Sequence, residues 1–310
     1  MNEERSRTEI SEAKQNICGL CPRECTVDRS TAAGFCGMTD TILVSRAALH
    51  MWEEPVISGT NGSGTVFFTG CNLKCIFCQN YEIAHTSPDM RAKAVTPDAL
   101  SDLFFMLKEK GAHNINLVTP THFIPQIREA LLTARTRGLN LPIVYNTSSY
   151  ETVGALRMLA GLIDVYLPDL KFCDPALSKE YANAPDYFDA AQAAIREMFR
   201  QVGEPVFADG LMKKGIIARH LVLPGHTNDS KNILDYLYET YHDRIYISIM
   251  NQYTPMPRMK DHPLLGRKVT KREYERVIDY ALDLGIQNAF IQEGDVAKES
   301  FIPPFDLTGL

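Results

Sequence analysis

From residue 65 to residue 292 the chain alternates short, near-continuous apolar runs with longer amphipathic stretches, and this alternation limits its fold more than any other feature. The apolar runs are 65–69, 114–118, 142–146, 163–167, 215–222, 245–250 and 289–292. Dense runs of this kind suit parallel strands buried on both faces. The first amphipathic stretch opens on Thr96-Pro97, which predicts a helix cap, and sets Leu100, Leu103, Phe104 and Leu107 on one side. Stretches 124–137, 152–162, 187–201, 230–242 and 270–284 follow. Strict β–α alternation predicts a parallel sheet, wound either open or as a barrel. In both geometries chemistry collects at the C-terminal ends of the strands.

Residues 1–60 contain many turn formers and are expected to be an irregular N-terminal module. Apolar residues make up 45% of the 310 and charged residues 23%, so a sizeable core is available. The net charge of −6 comes without a Lys/Arg block, and no nucleic-acid or membrane partner is expected. The start is polar and charged, and no apolar run approaches the roughly 18 residues that span a bilayer. A soluble, cytoplasmic protein is therefore expected.

Eight cysteines are many for a reducing compartment. Seven fall in two tight groups before residue 80, a placement that points to metal rather than to disulfides. Cys71, Cys75 and Cys78 follow the first apolar run with spacing C-x3-C-x2-C. Three thiolates on one loop can hold three irons of a [4Fe–4S] cube and leave the fourth iron open. A zinc site completed by a distant histidine is the plainer alternative. Cys18, Cys21, Cys25 and Cys36 supply four more thiolates, enough for tetrahedral zinc or a closed iron–sulfur cluster. Cys173 stands alone.

Polar groups end most of the predicted strands: Thr119 to His122, Asn146 to Ser149, Asp169 to Lys171, Arg219 and His220, Asn251 to Tyr253, and Gln292 with Glu293. Together they are expected to line one rim as a binding site. Taken singly, Asp169 and Lys171 could be a surface pair of little value. His122 and His220 could equally be packed structural groups, and Phe77 could be core.

The segment Cys71-x3-Cys75-x-Phe77-Cys78 resembles the signature of radical S-adenosylmethionine (SAM) enzymes. The wording around it is similar to the pyruvate formate-lyase activating enzyme-like family. Asp169-Leu170-Lys171, the strand Arg219-His220-Leu221-Val222-Leu223-Pro224-Gly225, Val118-Thr119-Pro120-Thr121-His122 and Tyr145-Asn146-Thr147 extend the likeness, closest to the PflX-type subgroup. It covers about residues 16 to 295. The resemblance implies a partial parallel (β/α)6-type TIM barrel over 61–295, a cysteine-rich metal-binding extension over 1–60 and a tail over 296–310. It implies a [4Fe–4S] cluster on Cys71, Cys75 and Cys78, with SAM on the open iron. Phe77, Thr119, Thr121, Asn146, Thr147, Asp169, Lys171 and His220 become candidate SAM contacts. The implied activity is reductive SAM cleavage, with activation of a glycyl-radical enzyme as its target and flavodoxin or ferredoxin as electron donor.

Two departures limit that target. The family's G-G-E-type segment is replaced by Thr119-Pro120-Thr121-His122, and its D-T pair by Asn146-Thr147. Losing a carboxylate weakens any site for a hard cation. A radical SAM enzyme acting on a small molecule or peptide, and a non-catalytic iron–sulfur or zinc protein, are the rivals.

Overall fold

The computed structural model describes residues 18–87, 89–292 and 303–310. Residues 1–17 of the expected N-terminal module, Glu293 and residues 296–302 of the expected tail lie outside the described residues.

The strands are β1 (Ile42–His50), β2 (Ser63–Phe68), β3 (Lys93–Val95), β4 (Ile115–Val118), β5 (Ile143–Thr147), β6 (Val165–Pro168), β7 (Val206–Ala208), β8 (Leu211–Leu221), β9 (Tyr246–Met250) and β10 (Ala289–Ile291). They form one sheet in the order β10-β9-β8-β6-β5-β4-β2-β1-β3, with β7 paired to β8. From β2 to β10 every neighbour along this path is parallel. The fold is thus mixed α/β with a mostly parallel sheet, and the described strands do not close into a ring. All residues of β2, β4, β5 and β6 are buried, which explains the unbroken apolar runs.

Residues 42–50, expected to be irregular, instead form the longest strand after β8. β1 pairs antiparallel with β2 and β3, with an irregularity between Val44 and Arg46. Ser45 and Arg46 interrupt its apolar pattern at that irregularity, which hides the strand in the sequence. Stretch 152–162 also differs: its helix is Val153–Arg157 and the rest is turn. The other predicted helices form as Pro97–Glu109, Ile124–Thr136, Tyr187–Val202, Thr227–Tyr241 and Lys271–Asp283. Thr96 caps the first by accepting from Ala99 N at 3.2 Å. Leu100, Phe104 and Leu107 bury its inner stripe, and Leu103 is half-buried beside them. Truncating a side chain like Phe104 would cost about 3–5 kcal/mol.

Successive strand residues face opposite sides of the sheet. On one side Tyr145, Tyr166 and Ile216 join the large core under the helices. On the other, Val144, Val165, Leu167, Met212 and Ile217 pack around Ile57. Phe67 and Val118 pack with Phe305. Asn146, Asp169 and Arg219 share this second, inner face by strand parity. The C-terminal segment lies along β1, where Ala47 N donates to Thr308 O and Leu307 N to Ser45 O.

Candidate functional site

The cysteine loop leaves the C-terminal end of β2. Gly70 has φ +81° at its start, and a Cβ there would lie 2.8 Å from the Cys36 carbonyl, so only glycine fits. Cys71 and Cys75 are buried and Cys78 half-buried, all as free thiols. Burial pushes Cys75 up strongly and Cys78 up to about 11. The Cys71 thiol adds to both shifts, while Lys171 opposes both, so the three thiols of this loop and the ammonium lie within electrostatic reach of one another. Leu73 N donates to Cys71 Sγ at 3.4 Å. Among the described residues, no three His, Cys, Asp or Glu side chains already stand in metal-ligating geometry. Three thiols on one loop, one of them accepting from the Leu73 amide and two of them held lower by the Lys171 charge, nevertheless suit a thiolate-bound cluster. Metal binding there would expel protons from thiols that burial keeps neutral.

Phe77 is buried edge-on against Phe172, Tyr181 and Tyr253, at centroid distances of 6.1–6.2 Å. These rings wall the loop on one side.

The N-terminal residues dock on the same loop. Cys71 N donates to Cys36 O at 3.3 Å. Arg23 donates to Asn72 O at 2.8 Å and to Ala182 O at 2.8 Å, with its guanidinium 4.0 Å from the Phe35 ring centroid. The sulfurs of Cys25 and Cys36 both lie against Gly34, 3.4 and 3.7 Å from where its Cβ would be. Burial pushes Cys21 up to about 11, and it also raises Cys36, with Cys18 and Cys25 adding to each shift. The Cys25 and Cys36 sulfurs thus lie on one glycine, with Cys18 and Cys21 within electrostatic reach of them.

Beneath the loop lies a buried charge network. Lys171 Nζ is 2.6 Å from Asp169 Oδ2, and Arg219 Nε donates to Asp169 Oδ1 at 2.9 Å. Arg219 also donates to Asn146 Oδ1 at 2.5 Å and to Glu53 Oε2 at 3.3 Å. Burial alone would raise Asp169, but Arg219 and Lys171 hold it below the usual carboxylate range. Burial lifts Glu53 above that range, because Arg219 only partly offsets it.

Of the residues expected to contact SAM, the structure brings Asn146, Asp169 and Lys171 into one network through Arg219. Thr121, Thr147 and His220 fall elsewhere. Thr121 donates to Glu151 Oε1 at 2.8 Å, and Thr147 donates to the same oxygen. Glu151 is buried and pushed up to about 7 by burial. His220 bonds Leu170 O and Ser230 Oγ, each at 2.9 Å, and burial lowers it to about 4. Thr147 and His220 face away from Asn146 and Arg219 because adjacent strand residues point oppositely. His122 is buried with Nε2 2.6 Å from Thr69 O, and burial lowers it to about 3. Gln252 O accepts from Gln79, Tyr253 donates to Leu265 O, and Gln292 accepts from Asn251 N. Glu53, Glu151 and Arg23 had no motif to announce them.

Backbone strain gathers at the same rim. Lys74, Thr119 and Ser149 have φ of +53°, +57° and +64°. A β-branched residue at positive φ is an outlier that costs on the order of 1–3 kcal/mol. Thr119→Gly is expected to raise thermal stability by about 1 kcal/mol, after the glycine's greater unfolded-state freedom is subtracted. A lower melting temperature in the variant would show that the threonine side chain contributes more than its backbone loses.

An open, mostly parallel α/β sheet with a thiol-bearing loop at the C-terminal end of its first parallel strand defines the class. A family model of the radical SAM superfamily matches residues 65–237, more than half the chain. The chain belongs to the radical SAM superfamily, which implies a [4Fe–4S] cluster and SAM as cofactors. It is 30% identical over 288 residues to an uncharacterized protein of Methanocaldococcus jannaschii, covering 90% of this chain and 79% of that one. Among solved structures it resembles a radical SAM methyltransferase from Sphaerobacter thermophilus, with TM-score 0.50 and 14% identity over 74% of this chain and 66% of that chain. It also resembles Streptococcus suis SuiB bound to SAM, with TM-score 0.50 and 16% identity over 73% of this chain. The chain spans about half of SuiB, 49% of its length. These structural likenesses concern the fold. No helix among the described residues is long and apolar enough to cross a membrane.

Proposed function

We propose that this protein is a radical SAM enzyme whose [4Fe–4S] cluster is held by Cys71, Cys75 and Cys78. The observation that carries the reading is the grouping of three buried or half-buried thiols on one loop, with the Lys171 ammonium beside two of them. A cluster held by Cys71, Cys75 and Cys78 would, when reduced, supply the single electron for cleavage of SAM and so the radical chemistry that removes a hydrogen atom from the substrate. The chain's own part is to hold, shield and orient. Lys171 offsets thiolate charge, the rings around Phe77 exclude water, and the network under Asp169 fixes Lys171 in direction.

In this reading the parallel strands are the wall of a partial (β/α)6-type barrel over 61–295. Residues 1–60 are a cysteine-rich extension whose Cys18, Cys21, Cys25 and Cys36 bind zinc or a second iron–sulfur cluster. The approach of the Cys25 and Cys36 sulfurs at Gly34 supports that site. Iron and zinc counts on a variant lacking all four cysteines test it.

Hydrogen abstraction from a glycine of a partner enzyme is the finer reading, as in pyruvate formate-lyase activating enzyme-like oxidoreductases. The meeting of Asp169, Lys171 and Arg219, from the two segments that resemble that family, supports it. Flavodoxin or ferredoxin would be the electron donor, and a glycyl-radical spin resonance signal on a co-incubated partner tests the target. For the reaction itself, the reconstituted protein with dithionite and SAM should release 5′-deoxyadenosine under anaerobic conditions. Intact SAM beside a fully reduced cluster would overturn the proposal.

A further inference from the structure

Glu53 reaches the reaction rim from the opposite end of the sheet. It lies between β1 and β2, and His50 pairs with Ser63, the first residue of β2, so this connection sits at the N-terminal ends of the parallel strands. The Glu53 side chain is only 9% exposed. Its Oε2 is 3.3 Å from an Arg219 nitrogen, and its Oε1 accepts from Asn116 at 2.9 Å and Asn146 at 3.3 Å. Arg219, 12% exposed, spends its other donors on Asp169 and Asn146. Asp169 gives its second oxygen to Lys171, which faces Cys75 and Cys78. Acidic and basic side chains thus alternate along the inner face: Glu53, Arg219, Asp169 and Lys171, then the thiol loop.

Burying a carboxylate this deeply is unfavourable, and a paired buried ion is often no more stabilising than an apolar residue of its size. The layer next to it is apolar, built from Ile57, Val144, Val165, Met212 and Ile217. An apolar residue at position 53 would continue that layer but strip Asn116, Asn146 and Arg219 of an acceptor, so the glutamate is there for its polar contacts rather than for apolar packing. A guanidinium held by carboxylates on two sides is pinned, because its donors form a rigid fork. With Glu53 neutral, Asp169 would be the only carboxylate bonded to Arg219, and it could turn both oxygens to the fork and release Lys171.

We propose that Glu53 is a positioning residue for SAM cleavage: it pins Arg219, which keeps Asp169 on Lys171 and Lys171 on the cysteine loop. The inference rests on the SAM-cleavage reading above. The test is Glu53→Gln in the full-length, cluster-reconstituted protein, alone and combined with Lys171→Gln. Iron content and circular dichroism should match wild type, while KM for SAM rises about tenfold, the lower end of what supporting partners of a metal site contribute. The spin resonance spectrum of the reduced cluster with SAM should change as well. In the Lys171→Gln background the same substitution should change KM less than about twofold, because residues acting in one line are non-additive.

Unchanged KM and spectrum in Glu53→Gln would overturn the inference, as would a full effect persisting without Lys171. If Glu53→Gln does not fold, Asn116→Ala removes one of the two hydrogen bonds to Glu53 Oε1, leaving that from Asn146, and should raise KM roughly threefold, the worth of one hydrogen bond. Wild-type KM in that variant would overturn the inference equally. Wild type that releases no 5′-deoxyadenosine defeats the SAM-cleavage reading itself, whereas a cleaving wild type matched by Glu53→Gln defeats this inference alone.

Discussion

Cys75→Ala is expected to lose 5′-deoxyadenosine release entirely and most of the iron bound at the loop. Cys75 is buried, its thiol is pushed up by burial, and Lys171 opposes that push. Such a sulfur is poorly suited to stand alone as an anion and well suited to a metal that replaces its proton. Two remaining thiolates cannot hold three irons, so the effect should be all-or-none rather than graded. Cys173→Ala is the matched control. Cys173 is half-buried and pushed up to about 11 by burial, but the contacts to Asp229 come from its backbone N–H, at 3.1 and 3.2 Å. Its replacement should leave iron content and turnover at wild-type levels. Turnover surviving in Cys75→Ala would move the cluster away from this loop. Because loading releases protons, iron affinity should also weaken as pH falls, by up to about tenfold per unit for each thiol deprotonated on binding.

Much of the fold was legible because the parallel strands are buried on both faces and their apolar runs are unbroken. β1 was not, since Ser45 and Arg46 interrupt it where its pairing slips. β3 and β7 have three residues each, too few for a pattern. The cysteine loop was legible because its ligands are neighbours in the chain. The network beneath it was half legible. Asp169 and Lys171 are two residues apart, but Glu53 lies 166 residues from Arg219, and no spacing rule joins them. Asn146 and Thr147 are adjacent on one strand, as are Arg219 and His220, so parity sends the two side chains of each pair to opposite faces of the sheet. The inner face took Asn146 and Arg219, and the helix face took Thr147 and His220.

Arg219→Met should destabilise the protein by about 3–5 kcal/mol, the usual result of stripping one partner from a buried ionic network. The guanidinium serves Glu53, Asp169 and Asn146 together, and Glu54 feels it as well. Without it Lys171 is the one cation left in this network, facing three carboxylates. The pH dependence gives the prediction its sign. In wild type Asp169 is held below its ordinary value, so its contribution is present above the unfolded-state value near pH 4 and is lost as pH falls through the lower folded value. In the variant burial acts without Arg219 to oppose it, and Glu53 and Glu54, already raised, rise further. A raised carboxylate contributes stability below its unfolded value and loses it as pH climbs through the folded one. The deficit of Arg219→Met relative to wild type should therefore be larger at pH 8 than at pH 5. Urea unfolding of both proteins at the two pH values checks this, and a deficit that stays level or shrinks would mean the carboxylates find other partners. Arg219→Lys should recover little of the loss. A single ammonium cannot bond Asp169, Glu53 and Asn146 with the fork's geometry, so charge at this position is useful only in the shape that arginine gives it.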